Sequence, residues 1–391
     1  MTSAAKILAA LMAPAGQADP YPLYAQAHHA GPVSAVGDGW FLACGYAEVS
    51  QVLRDPGFGL PDPPALDSEL SLLSRSILRA NPPDHPRMRS LMSAVFTPRR
   101  VAALGPAIEN AVDTLLSQIG QQADFMAAFA FRLPVTVICE LLGVPAAGQD
   151  RFRPLAADLT EALEATTTAS GPSPAATAAA AAELGGYFTA LVTERRAAPH
   201  DDLISALVAA RDSLSDEELL ANLIVLLVAG FETTTSLLGN GLALLFEHPE
   251  TAAALRAGAL PADGFIDEVL RYDAPVQVLT RVAREANLNA GGLPIPSGSR
   301  LILLIGAANR DPGRYTDPDR FDAARTGSKP LSFGAGPHIC IGNALARLEA
   351  GIAFPRLLAR FPALAPAPGQ PPVRRNRLIL RGYESLPVTV N

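Results

Sequence analysis

Cysteine is scarce in this chain of 391 residues, which holds only Cys44, Cys139 and Cys340. Three scattered thiols exclude a disulfide framework, and that usage suits a reducing cytosol. Positive charge is also short: 31 Lys and Arg stand against 38 Asp and Glu, a net charge of −7 that argues against nucleic acid as the main partner. Long apolar runs are missing too. The longest, Leu219 to Phe231, is too short to span a bilayer and contains Asn222. Near the N-terminus, Lys6 precedes an apolar stretch that Pro14 cuts short, so it reads as the amphipathic start of the fold rather than a signal peptide. No internal repeat and no linker divides the chain. Length alone suggests two or three domains, yet the absence of a boundary points to one domain over 1–391. Aromatics, at 6%, do not narrow the choice of ligand.

What is present is hydrophobic and helical. Hydrophobic residues make up 49% of the chain, ample for a large core. Apolar periodicity predicts helices at about 102–118, 134–142, 183–197, 216–246, 248–256, 263–272 and 343–360. Short strands are expected at Gly39–Ala43, Gly291–Pro296, Arg300–Leu304 and Arg377–Leu380. The stretch 56–81 reads as an irregular loop with a short helical piece, and 165–180 as a low-complexity loop between helices.

One decapeptide carries most of the chemistry: Phe333-Gly334-Ala335-Gly336-Pro337-His338-Ile339-Cys340-Ile341-Gly342. Three glycines and a proline surround a single thiol, and a helix-like run begins directly after it. Backbone N–H groups and the helix dipole favour the thiolate there, which makes Cys340 a metal ligand or a nucleophile. A merely packing cysteine needs no such loop. A nucleophilic pair with His338 would require the loop to bring together residues two apart, which do not face each other on a helix. A dinucleotide fingerprint would need glycine where Ile339 stands.

The second anomaly lies inside the long helical stretch, where Ala229-Gly230-Phe231-Glu232-Thr233-Thr234-Thr235 breaks helix rules. Gly230 costs roughly 1 kcal/mol against alanine, and Glu232 puts a charge among apolar residues. Such violations are expected at functional sites. Glycine also permits close helix packing, and threonine can bond back to carbonyls. Elsewhere, Asn81-Pro82-Pro83-Asp84-His85-Pro86-Arg87-Met88-Arg89 starts a helix with His85 and Arg89 on one face. Glu268 and Arg271 sit three apart on another helix, and Pro318-Asp319-Arg320-Phe321 follows.

The cysteine decapeptide resembles the haem-binding signature of the cytochrome P450 superfamily, and the other segments fall in that family's order over about residues 20 to 390. The resemblance is to the soluble bacterial members. It implies a mainly α fold with small peripheral β-sheets, haem b lying between a long distal helix and the proximal cysteine loop. It implies that Cys340 ligates the iron, with Phe333, Gly334 and Gly342 shaping the haem loop and Ala229 facing the haem. His85, Arg89, Arg281 and His338 would hold the propionates; Asn81 replaces the usual acid of that motif, a change expected to alter only the helix cap. The distal helix would bulge at A-G-x-[DE]-T, Thr233 bonding the oxygen under activation and Glu232 relaying protons. Glu268, Arg271 and Arg320 would form a buried triad supporting the proximal core.

By the same resemblance the chain is a monooxygenase that inserts one atom of O2 into a hydrophobic small molecule such as a terpenoid, polyketide or steroid. The implied cavity positions are Leu78, Val225, Ala229, Val276, Val278, Ile379 and Leu380, and 165–180 would form a mobile lid. No flavin or nicotinamide module is legible, so electrons would come from NAD(P)H through an external reductase and ferredoxin. Arg99, Arg100 and Arg347, with Arg87 and Arg89 nearby, form an expected basic docking patch. A cytoplasmic monomer without membrane or nucleic-acid partners follows. Two alternatives stay open: a non-catalytic haem-thiolate binding protein, and a haem-thiolate enzyme performing coupling, desaturation or peroxide-driven oxidation.

Overall fold

The apolar stretch around Leu219–Leu245 winds into one helix of 32 residues, Asp216–Glu247, and the rest of the molecule is arranged about it. The computed structural model describes residues 2–62, 73–145, 151–165, 174–210 and 214–390. Ser215 starts the long helix with a reciprocal cap: its hydroxyl accepts from the Glu218 N–H while the Glu218 carboxylate accepts from the Ser215 N–H. Such a cap is worth about 1 kcal/mol, and three acids in the first turn complement the dipole. Helices Arg132–Leu142, Phe152–Ala165, Pro174–Ala197, Ala262–Tyr272 and Asn343–Arg360 all pack against it. The resulting apolar core runs from Leu73 to Val388. Among the described residues Ala175–Ala197 and Asp216–Glu247 are long and apolar enough to cross a membrane; the apolar window of the second is 78% buried by protein, that of the first 39%.

The largest sheet joins strands from the N-terminal part of the chain to two strands near residues 278–304. Its order is Val33–Gly37, Trp40–Ala43, Arg300–Leu304, Val278–Ala283, Phe58–Gly59, with Trp40–Ala43 parallel to Arg300–Leu304 and the other pairs antiparallel. Arg300–Leu304 reads as an unbroken apolar run because both of its faces are covered. Leu301 and Leu303 pack with Val49, Val52 and Leu53 on one face, and Ile302 and Leu304 with Ile7, Leu11 and Tyr24 on the other. Helix Ser3–Met12 buries Ala4, Ile7 and Leu11, the amphipathic start its sequence predicts.

Three elements differ from expectation. Arg377–Leu380 is no strand and makes only an isolated bridge, Val276 to Leu380. Pro275, whose carbonyl accepts from Arg381 N, has no N–H to extend the ladder. The expected loop 165–180 is helical from Pro174, where proline takes the first turn and the alanines that follow are the best helix formers. Residues 166–173 of that loop and 63–72 of the loop 56–81 lie outside the described residues. The strand expected at Gly291–Pro296 shortens to Leu293–Ile295, set off by a turn in which Gly291 and Gly292 have positive φ.

Candidate functional site

The cysteine loop is built from two short 3-10 turns, Leu331–Phe333 and Gly336–His338, followed by helix Asn343–Arg360. Gly336 has φ +68°, and any Cβ there would lie 2.3 Å from the Leu53 carbonyl oxygen. Helix Tyr46–Arg54, which sequence periodicity missed, therefore abuts the loop and makes glycine obligatory. The Cys340 N–H donates to the Phe333 carbonyl at 2.8 Å, and Asn343 donates to the Cys340 carbonyl at 2.9 Å. Cys340 is the exposed thiol; Cys44 and Cys139 are buried. Its sulfur is accessible yet ringed by protein. That desolvation pushes the thiol up, against the downward pull of the Gly342 N–H and the Arg89 charge. The loop and helix end alone thus do not overcome burial; a cation at sulfur would.

Four basic groups gather beside this thiol. The rings of His85 and His338 are 3.8 Å apart. Arg89 donates to the Ile339 carbonyl at 2.7 Å, within the loop. Arg281 is 4% exposed, and its guanidinium donates to the neighbouring Thr280 carbonyl at 2.8 Å. Among the described residues no carboxylate pairs with any of the four. Burial therefore pushes Arg281 down to about 10, and burial with the charges of His85, Arg281 and Arg89 pushes His338 down to about 3. Burial, Arg89 and Arg281 likewise lower His85. A buried cation cluster without an acid is costly, and a dianionic ligand relieves it. No group of three His, Cys, Asp or Glu able to hold a metal occurs among the described residues. A metal at Cys340 thus needs its remaining ligands from a cofactor. One accessible thiol facing four unpaired bases fits haem, whose macrocycle supplies four nitrogens and whose propionates supply two negative charges.

Asn81 does more than adjust a cap. Its amide accepts from the Leu60 N–H and donates to the Leu60 carbonyl, at 2.8 and 3.1 Å, pinning the start of this segment. A carboxylate could accept but not donate there.

Across the site, the long helix is continuous through its irregular segment, so the bulge implied by resemblance is not present. Thr233 donates to the Ala229 carbonyl at 3.0 Å, and Thr234 to the Gly230 carbonyl at 3.1 Å. A Cβ on Gly230 would press on the Ile138 side chain at 3.2 Å, so this glycine also serves helix packing. Ala229 is nonetheless exposed, and Gly230 and Thr233 half-buried, in a helix whose flanking turns are buried. That window is where the helix meets open space. Glu232 is buried and ion-paired at 2.6 Å with Arg375, a partner its sequence context does not reveal.

The proximal support differs from expectation in one member. Arg271, 0% exposed, donates twice to the Glu268 carboxylate, at 2.7 and 2.8 Å, and also to the Asn309, Pro318 and Arg320 carbonyls. The Arg320 side chain is 67% exposed and pairs with Asp322; only its carbonyl serves the cluster. The third charge is Arg325, 12% exposed and 3.4 Å from Glu268. Backbone direction decides this, since Arg320 faces outward where its carbonyl faces in. Arg320→Ala should shift stability by less than about 0.5 kcal/mol, whereas Arg325→Ala should cost about 1–3 kcal/mol, measured by urea unfolding. Equal effects would overturn the assignment.

The apolar candidates separate. Leu78 is 43% exposed and Ala229 is exposed, while Val276 and Leu380, bridged to each other, are half-buried. Val278 is 1% exposed and packs with Tyr24, Leu42 and Ile302 on the far face of the sheet, and Ile379 leans on the same cluster. The strand's alternation sends Val278 into this cluster and its neighbour Leu279 to the opposite face. Val225 is 6% exposed and belongs to the main core. The basic patch also changes: Arg87 pairs with Glu218 and Asp84, Arg100 with Asp201, Arg347 with Asp267, and Arg89 turns inward. Arg99 stays exposed.

A family model described as Cytochrome P450 matches residues 172–258 and 262–386. The cytochrome P450 monooxygenase PikC of Streptomyces venezuelae is 39% identical over 389 residues, covering 95% of this chain and 91% of that protein. The 6-deoxyerythronolide B hydroxylase of Saccharopolyspora erythraea is 36% identical over 397 residues, covering 95% and 96%. Among solved structures, P450BioI in complex with hexadec-9Z-enoic acid ligated acyl carrier protein superposes with TM-score 0.90 at 34% identity, covering 97% of this chain and 99% of that one.

Proposed function

The chain belongs to the cytochrome P450 family and is an oxidoreductase of the monooxygenase type; we propose that it binds haem b through Cys340 and oxidises a hydrophobic small molecule of polyketide, terpenoid or steroid character. The observation that carries the cofactor assignment is the accessible Cys340 thiol beside four basic side chains that no carboxylate balances among the described residues. Bound there, haem supplies reductive activation of O2 and transfer of one oxygen atom to the substrate. The residues do the rest. Cys340 would hold the haem iron through its sulfur, and as a thiolate it would donate electron density to that iron. Arg281, Arg89, His85 and His338 neutralise the propionates. Thr233 and Glu232, neighbours on the long helix, are the hydroxyl and the acid available for protons. Leu78, Ala229, Val276 and Leu380 offer an apolar lining that excludes water and selects a hydrophobic ligand.

The test is a carbon monoxide difference spectrum of the reduced holoprotein, followed by titration with 6-deoxyerythronolide B and hexadec-9Z-enoic acid, the compounds for which two relatives are named. A thiolate-type spectrum, with a Soret shift on adding one of them, is expected. An imidazole-type spectrum would remove the reading.

Electrons reach this cytoplasmic enzyme from NAD(P)H through a reductase and a ferredoxin. With Arg87, Arg100 and Arg347 already paired to acids, Arg99 is the main free charge of the docking region. Reduction rates should therefore fall only moderately with ionic strength, and Arg99→Glu should slow reduction at low salt but not at high salt. Stopped-flow reduction of the wild type and Arg99→Glu across a salt series checks this; identical curves would exclude Arg99 from docking.

A further inference from the structure

Glu232 raises a difficulty for proton delivery. Its Oε2 lies 2.6 Å from Arg375 Nη1, and its Oε1 is buried with no hydrogen-bond partner. Arg375 follows strand Val373–Arg374, whose antiparallel partner Tyr383–Ser385 contains Glu384, and its backbone N–H donates to the Gly382 carbonyl. The guanidinium lies over the Phe131 ring, 5.1 Å from its centroid. Its Nε is 3.2 Å from the Glu384 carboxylate, which is 61% exposed, without the alignment of a hydrogen bond. One guanidinium is thus shared between a buried acid and a surface acid.

Arginine does not give up its proton in proteins. Arg375 can therefore fix Glu232 but cannot pass solvent protons to it. For Glu232 to collect and deliver a proton, its pair with Arg375 must open. We propose that Arg375 is a positioning residue that latches Glu232, and that Glu384 sets the strength of the latch by competing for the same guanidinium. With Glu384 in place the Glu232–Arg375 pair is weakened, and the acid exchanges between the latch and the Thr233 side of the helix. Without Glu384 the guanidinium is left wholly to Glu232, and exchange slows. The geometry supports this division, since the tighter contact is the buried one and the looser contact is at the surface. This rests on Glu232 serving as proton donor in the proposed function.

Two measurements on haem-loaded protein test it. The first is independent of turnover. A double-mutant cycle of Glu232→Gln and Arg375→Gln, read as urea midpoints, is run in the wild type and again with Glu384→Gln; the coupling should grow when Glu384 is removed. The second uses O2 alone as probe, with NADPH and a surrogate ferredoxin system. Oxygen leaves either as peroxide (two electrons and two protons) or as two waters (four electrons and four protons). Poor proton delivery therefore raises the peroxide share. Both Glu232→Gln and Glu384→Gln should raise it several-fold, with haem content and the carbon monoxide spectrum unchanged in Glu384→Gln. Unchanged coupling in the Glu384→Gln background, or a wild-type peroxide share in Glu384→Gln while Glu232→Gln raises it, would overturn the latch alone. A wild-type share in Glu232→Gln would remove the proton role of Glu232 and the latch with it.

Discussion

Cys340→Ser protein is expected to fold, to lose the thiolate signature of the reduced carbon monoxide complex, and to fall to background turnover. Folding should survive because the loop is held by backbone bonds and by glycine conformations, the Cys340 N–H to Phe333 carbonyl bond among them, and none of these needs sulfur. Ligation should not survive, because a serine hydroxyl stays neutral where a thiol can be drawn to its anion by a metal. Neither remaining cysteine can substitute. Cys44 and Cys139 are buried, and burial pushes both thiols up to about 12. Cys139→Ser should accordingly keep the native spectrum. Absorption spectra of both purified variants decide the matter, and a thiolate band in Cys340→Ser would contradict the site assignment.

Glu268→Ala or Arg271→Ala should yield haem-free, largely insoluble protein. Each removes half of an ion pair that is 0–1% exposed. Deleting Glu268 strands a guanidinium in the core with carbonyl partners only; deleting Arg271 leaves the buried Glu268 carboxylate with only the longer Arg325 contact and the Asp322 N–H, and leaves the Asn309, Pro318 and Arg320 carbonyls without their donor. The penalty for such an uncompensated charge is about 3–5 kcal/mol, a large part of the roughly 5–15 kcal/mol by which folded proteins are stable. The consequence reaches haem because this cluster anchors the segment leading to the cysteine loop: Asn309, whose carbonyl Arg271 holds, accepts from the Leu331 N–H and donates to Ser332. Soluble yield and haem content per protein are the measurements, and soluble holoprotein from either variant would refute the argument.

Much of this site could be read before any coordinates. Phe333 to Gly342 announces itself because its conformation is demanded locally, with Gly334 and Gly336 at φ near +70°. The long helix is legible because its residues are apolar on nearly every face, which only a central element tolerates. Val278 was harder. A strand in a sheet buried on both faces sends alternate apolar residues to different clusters, and identity alone does not say which cluster adjoins the cavity. Arg377–Leu380 has strand composition, but pairing depends on the neighbour, and that neighbour contains Pro275.

Taken by itself, the sequence determined the dominance of helix, which rests on composition and short-range periodicity; the reaction class was legible through the resemblance of its motifs to a known family, which also implies Cys340 as ligand and the bases around it as propionate partners. The tertiary structure alone decided which charges meet. Arg325 rather than Arg320 reaches Glu268 across 57 residues of chain, and Arg375 reaches Glu232 across 143. Such pairings are set by where distant backbones converge and which way each side chain leaves them, and no local pattern encodes either.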